Sequence, residues 1–172
     1  VKTNTVVAAI DVGKRPCSGL TAGFGSDWHI QHLGARAMGG AGLVMVEMTS
    51  PTPEGRITPG CPGLWNDTQQ QSFERITRFV HQQQTHIGIQ LGHSGAKGST
   101  QLGWQSIDEP LPENNWPLWA ASAVPYGPNN QVPLVMTENE MQALLDAFVA
   151  STQRANAAGF DWLELHCAHG YL

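Results

Sequence analysis

The sequence predicts an α/β fold: the amino-terminal half of a (β/α)8 barrel, with about four parallel strands, three intervening helices and a long Trp/Pro-rich loop. Short apolar runs alternate with helical patterns along the chain, as in repeated β-α units around a parallel sheet. The chain has 172 residues, whereas a complete barrel typically takes about 250. No G-x-G-x-x-G or P-loop follows the first strand, which disfavours the competing doubly wound sheet. Residues 1–172 are therefore expected to form one partial domain that stops before the barrel closes.

Each element has its own signal. Val6 to Ile10 is a weak first strand. Trp28 to Ala37 has helical character and is closed by Gly39-Gly40. Leu43 to Met48 is an apolar strand interrupted only by Glu47, as expected when helices cover one face and a core the other. A proline-rich loop, Thr49 to Leu64, follows. Asp67 is placed to cap a helix in which Phe73, Ile76 and Val80 recur at helical spacing. Ile87 to Leu91 is the third strand. Thr137 and Glu140 have the spacing of a capping box, ahead of an apolar face made by Met141, Leu144, Leu145, Phe148 and Val149. Gly159 ends that helix, and the last strand begins at Phe160.

Between these elements, Ser94 to Val135 has no period of its own. Segments of this length are usually lids or binding loops. Trp104, Trp116 and Trp119 are expected to pack the loop down, either over a site or simply as anchors for a long excursion.

Composition narrows the function. The chain carries a formal charge of −5 and no basic cluster, which argues against a nucleic-acid partner. No apolar run reaches the length of a membrane span. The three cysteines, Cys17, Cys61 and Cys167, have neither C-x-x-C nor metal-ligand spacing and read as reduced, in a cytoplasmic setting. Cys17 reads as structural or incidental. The chain begins at Val1 rather than Met, which is expected of a piece of a longer protein.

The chemistry concentrates at the carboxyl end. Alternation in the last strand places Trp162, Glu164 and His166 on one face and Asp161, Leu163 and Leu165 on the other. The leucine set is expected to meet the helices, and His166 then stands at the strand's carboxyl end, where barrel sites lie. His169 and Tyr171 follow in the loop. Two neutral imidazoles can donate N–H bonds to one oxygen and polarise a carbonyl, and a phenol beside them can deliver a proton. Two buried histidines satisfied by backbone groups fit the pattern equally well. His-x-x-His lacks a convincingly spaced third ligand for zinc. Gln90 is the other candidate. It shares a strand face with Gly88 and Gly92, and its carboxamide offers both donor and acceptor to a flat heterocycle, or else to a polar network in the core.

Ile89-Gln90-Leu91-Gly92-His93-Ser94-Gly95 and Glu164-Leu165-His166-Cys167-Ala168-His169-Gly170-Tyr171-Leu172 resemble the old yellow enzyme family of FMN-dependent ene reductases. Gly39-Gly40-Ala41-Gly42-Leu43, Glu47-Met48-Thr49 and Pro53-Glu54-Gly55-Arg56-Ile57-Thr58 are similar to it in the same order. The resemblance implies a TIM barrel with FMN at the carboxyl ends of the strands and NADH or NADPH as reductant. It implies that Gln90 bonds the flavin pyrimidine edge and that Met48 lies beside the ring through its backbone. By the same likeness His166 and His169 hold the carbonyl oxygen of a small unsaturated substrate, and Tyr171 is the proton source or a substrate contact.

A narrower likeness involves Gly60-Cys61-Pro62-Gly63-Leu64-Trp65-Asn66-Asp67, Lys97-Gly98-Ser99-Thr100 and Asn115-Trp116-Pro117-Leu118. These are similar to the reductase portion of bifunctional salicylyl-CoA and 2-aminobenzoyl-CoA hydroxylase/reductases. That likeness implies an acyl-CoA substrate, an attached monooxygenase domain and a second barrel half in the parent protein. Any iron–sulfur cluster would draw its cysteines from that second half. The family's first strand ends in Ser-Pro-Met, where this chain has Ala8-Ala9-Ile10-Asp11-Val12-Gly13. The basic residue that follows His-Ser-Gly in the family is Ala96 here. A half-barrel exposes its sheet edges, so a homo-oligomer is expected, and the alternative to a flavoenzyme is a non-catalytic, partner-dependent half-barrel.

Overall fold

The computed structural model describes residues 6–8 and 24–172. The expected end of the first strand at Ile10, the altered segment to Gly13, and Cys17 lie outside the described residues. Among those described are strands β1 (Val6–Ala8), β2 (Leu43–Thr49), β3 (His86–Leu91), β4 (Trp119–Ala120), β5 (Leu134–Val135) and β6 (Trp162–Leu165). The helices are α1 (Asp27–Met38), α2 (Asp67–Gln82) and α3 (Glu138–Ala157). Strands β1, β2, β3 and β6 form one parallel sheet in that order. A helix separates each strand from the next, so the sheet is a run of β-α units.

Local chemistry fixes the helix ends. Helix α2 is capped by Asn66 rather than by Asp67. Asn66 has the extended backbone a cap needs (φ −145°, ψ 167°), its side chain accepts the Gln69 N–H at 2.9 Å, and Asp67 is already helical. Gln69 reaches back to the Asn66 N–H at 3.2 Å, which completes a capping box. At α3 the Glu140 carboxylate accepts the Thr137 N–H at 2.6 Å, as the spacing predicts. Gly159 follows with φ +86°, a conformation that favours glycine.

The core lies between the sheet and the helices. Val44, Val46, Ile87, Ile89 and Leu91 from the sheet meet Leu33 and Ala37 of α1 and Phe73, Ile76 and Val80 of α2. Ala155 and Ala158 complete it from the α3 side, and the Phe73 and Phe160 rings meet edge to face at 5.6 Å. The opposite face of the sheet carries Met45 beside Gly88 and Met48 beside Gln90. Strict alternation would put Glu47 there and turn Met48 outward. A bulge between Val46 and Met48 changes this: Glu47 is the extra residue, and Met48 becomes the partner of Gln90. The Glu47 carboxylate is held from α1 by the His29 Nε2–H at 3.2 Å, while His29 Nδ1 accepts the Ser26 N–H.

Two expectations about burial need correction. The apolar face of α3 is only partly covered: Phe148 packs on the core, but Met141, Leu145 and Val149 are 52%, 56% and 50% exposed. The buried residues of α3 are instead Ser151 and Ala155. On β6, Leu163 meets the core as expected, but Leu165 is exposed because no described element covers that side of the edge strand.

The segment Ser94 to Val135 is not wholly irregular. It opens with a 3-10 turn, Gly95–Lys97, and brings β4 and β5 together as a two-stranded parallel pair. Trp116 anchors it, donating its indole N–H to the Glu54 carbonyl at 3.0 Å and stacking under the Arg56 guanidinium. Trp104 does not act as an anchor and remains exposed. Among the described residues, no helix is long and apolar enough to cross a membrane.

Candidate active site

A cleft of about 290 Å³ opens at the carboxyl ends of β2, β3 and β6. Met48, Gln90, His166, His169 and Tyr171 all line it, together with Glu47, Ile57, Cys61 and Glu164. The topology accounts for this convergence. Parallel strands present their carboxyl ends on one side, and the bulge at Glu47 brings Met48 to the same side as Gln90.

His166 lies one residue beyond β6. Its backbone N–H continues the ladder to the Leu91 carbonyl at 2.8 Å. Its Nδ1 accepts the Ala168 N–H at 3.2 Å, so the neutral ring carries its proton on Nε2. The His169 ring meets it nearly edge on, with centroids 5.3 Å apart, and the Tyr171 ring lies 4.9 Å away on a similar angle. A tight turn brings these groups together. His169 and Gly170 both adopt positive φ, +59° and +66°, and the Tyr171 N–H reaches the Ala168 carbonyl at 3.3 Å.

Gln90 pairs in register with Glu164 across β3 and β6, and its side-chain amide donates to the Glu164 carboxylate. One N–H is thereby committed, and the carboxamide plane is fixed with its remaining donor and its carbonyl available to a ligand. Gly88 and Gly92 leave no open space on this face. A Cβ on Gly88 would stand 2.2 Å from the Met45 sulfur, and one on Gly92 would stand 2.8 Å from Met48 Cγ and 3.0 Å from His166 Cβ. The glycines let the methionines and the imidazole lie against the sheet.

His93, two residues beyond β3, is 2% exposed. Burial pulls its pKa down to about 4, so the ring is neutral at ordinary pH. Its Nδ1 accepts the Gly95 N–H at 3.1 Å, and its carbonyl accepts the Leu172 N–H at 3.2 Å. Two contributors to this site escape a sequence reading. Glu164 was legible as an inward position, but its bond to Gln90 needs the strand register. Lys97 stands in a motif of the narrower likeness, but nothing in the sequence points to its bond to the His169 carbonyl at 2.6 Å.

The arrangement presents two imidazoles, a phenol and an oriented carboxamide to one cleft. It is suited to hold an oxygen with N–H donors and to grip a planar polar edge.

Residues 17–172 match the NADH:flavin oxidoreductase / NADH oxidase family. An NADH:flavin oxidoreductase of Gibberella zeae is 43% identical over 155 residues, covering 87% of this chain and 38% of the relative. An NADPH dehydrogenase of Bacillus velezensis is 36% identical over 145 residues, covering 84% of this chain and 39% of the relative. The chain thus spans about two fifths of the length of these curated relatives. Among solved structures, morphinone reductase superposes with a TM-score of 0.80 at 22% identity, and an old yellow enzyme homologue from Zymomonas mobilis with 0.78 at 25%. Each superposition covers 98% of this chain and 45% of the other. The fold is therefore a partial TIM barrel, its amino-terminal half.

Proposed function

The chain belongs to the NADH:flavin oxidoreductase / NADH oxidase family, and we propose that residues 1–172 form the amino-terminal half-barrel domain of an FMN-dependent oxidoreductase. Its reaction is the reduction of an activated C=C bond in a small molecule, an enone or an unsaturated or aromatic acyl-CoA. The observation that carries this reading is the convergence of Gln90, Met48, His166, His169 and Tyr171 on one cleft at the strand ends.

The donor set fits a flavin. Gln90, held flat by Glu164, offers an N–H and a carbonyl to a heterocycle edge, and Met48 brings its backbone to the same wall. FMN, when bound, supplies the hydride chemistry, with NADH or NADPH as the source of reducing equivalents. The protein's own residues do the rest. His166 Nε2–H and a ring N–H of His169 hold the substrate's carbonyl oxygen. As hydride reaches the β-carbon, negative charge builds on that oxygen, and preformed donors stabilise it without reorganisation. The Tyr171 hydroxyl delivers the proton to the α-carbon.

The finer reading, an acyl-CoA substrate in a cytoplasmic protein with an attached monooxygenase domain, rests on the motifs around Gly60 and Asn115 and on the cysteine content. The exposed β6 edge and α3 face favour either the remaining barrel half or a second copy as the covering partner.

The test is a visible absorption spectrum of the purified chain after incubation with FMN and removal of free dye. A retained, protein-shifted flavin spectrum is expected. Its absence would favour the non-catalytic half-barrel instead. In the flavin-loaded protein, replacing His166 and His169 together by alanine should abolish alkene reduction while FMN stays bound. Wild-type rates in that double variant would remove the role assigned to the pair.

A further inference from the structure

Lys97 lines no part of the cleft, yet it meets two of its residues. Its ammonium donates to the His169 carbonyl at 2.6 Å. It stands 5.6 Å from the centroid of the Tyr171 ring and 4.5 Å from that of Tyr126 in the long loop. These two are the only tyrosines in the chain. The stretch leading into the 3-10 turn that carries Lys97 is itself fastened to the same segment, because the Leu172 N–H donates to the His93 carbonyl. A Cβ on Gly95 would meet the Leu172 nitrogen at 3.0 Å, so the two turns are in direct contact.

The residue that Lys97 holds has a backbone that needs holding. His169 is a non-glycine residue with φ +59°, a region that costs a side-chain-bearing residue free energy and persists only when its surroundings enforce it. Its carbonyl is aimed at the ammonium, and the direction of that peptide sets where the imidazole leaves the chain. The ring faces of Tyr171 and Tyr126 add cation–π attraction to the same charge.

We propose that Lys97 is a positioning residue. It fixes the His169 peptide in its left-handed conformation, aims the second imidazole at the position of the substrate oxygen, and fastens the Tyr126 segment of the long loop to that turn. The proposal rests on the reading of His169 as a substrate-binding residue. It assigns to the long loop a specific attachment to the site.

The test compares wild type with Lys97→Met, which keeps the chain length but removes charge and donors, and with Lys97→Arg, which restores both. In the flavin-free chain, amide hydrogen exchange is followed by NMR at Tyr171 and Leu172, whose N–H groups bond within and across the turn. Lys97→Met is expected to speed exchange at these two amides about tenfold, leave β2 and β3 amides unchanged, and lose protection in residues around Tyr126. Lys97→Arg is expected to restore it. In the flavin-loaded protein Lys97→Met should lower kcat/KM for the alkene about tenfold at unchanged FMN affinity. Unchanged exchange at the turn, or acceleration spread evenly over the sheet, would overturn the proposal. So would a local loss of protection with wild-type kcat/KM. A wild-type chain that binds no FMN would count against the proposed function, while the exchange experiment still decides whether Lys97 sets the turn.

Discussion

Gly92 offers the sharpest test of how the sheet positions the site. An alanine Cβ there would stand 2.8 Å from Met48 Cγ, 3.0 Å from His166 Cβ and 3.2 Å from the Met48 sulfur. Carbon atoms sit comfortably at about 3.5–4.0 Å, so the neighbours must yield by roughly 0.5–1 Å. They are unequally able to do so. Met48 has three rotatable bonds and can swing aside. His166 Cβ is tied to its backbone, whose N–H is bonded to the Leu91 carbonyl at 2.8 Å, so it moves only with the end of β6. Gly92→Ala should cost about 1–3 kcal/mol of stability, typical of an overpacked site. It should also lower kcat/KM for alkene reduction about 100-fold, as expected for a catalytic group displaced by about 1 Å. Urea unfolding and steady-state kinetics of the flavin-loaded protein measure the two effects. Adding Met48→Ala should recover part of the stability and little of the rate, since the contact with His166 persists. Wild-type kcat/KM in Gly92→Ala, or full recovery of rate in the double variant, would refute the reasoning.

Two further outcomes follow from burial. His93 has a pKa of about 4 in the folded chain against about 6.5 when unfolded. The unfolded chain therefore takes up a proton that the folded chain refuses. Stability is full above about pH 6.5 and is lost as pH falls toward 4, by up to about 3 kcal/mol. Urea midpoints at fixed protein concentration should fall more steeply over this window in wild type than in His93→Gln, and parallel curves would contradict the assignment. The half-exposed Met141, Leu145 and Val149, with Trp162 at 60% exposure on the β6 edge, should drive self-association of the isolated chain. Sedimentation should show oligomers that Leu145→Lys with Val149→Lys reduces. A wild-type monomer with a sharp thermal transition would argue the other way.

The parts of this fold that were legible in sequence are those fixed by local patterns. The alternation of apolar runs and helical spacing predicts the parallel order, the Thr137/Glu140 spacing predicts the α3 cap, and the pleat of the last strand predicts that Glu164 and His166 share a face. What escaped depends on backbone geometry and on the register of distant strands. Asn66 and Asp67 are adjacent short acceptors, and only the backbone angle at Asn66 decides which one caps α2. The bond between Gln90 and Glu164 requires the register of strands separated by the whole long loop. Lys97 acts on a backbone carbonyl, which has no side-chain signature to pair with. The bulge at Glu47 likewise leaves no trace in an alternation count, yet it turns Met48 into the cleft.

The sheet is ordered as the chain is, β1, β2, β3 and then β6, and this has a consequence for synthesis. Each strand leaves the ribosome after the neighbour it will pair with, so the half-barrel can be built outward in one direction without waiting for a distant partner. The intervals are unequal. β2 begins at Leu43, β3 at His86 and β6 at Trp162, so β3 waits nearly twice as long for its next neighbour as β2 does. At about 5–20 residues per second the Ile87-Ile89-Leu91 edge is bare for several seconds while the long loop is being translated. The loop that carries Tyr126 is thus also a delay in assembly, and the nascent chain is most open to wrong pairing while that loop is being made.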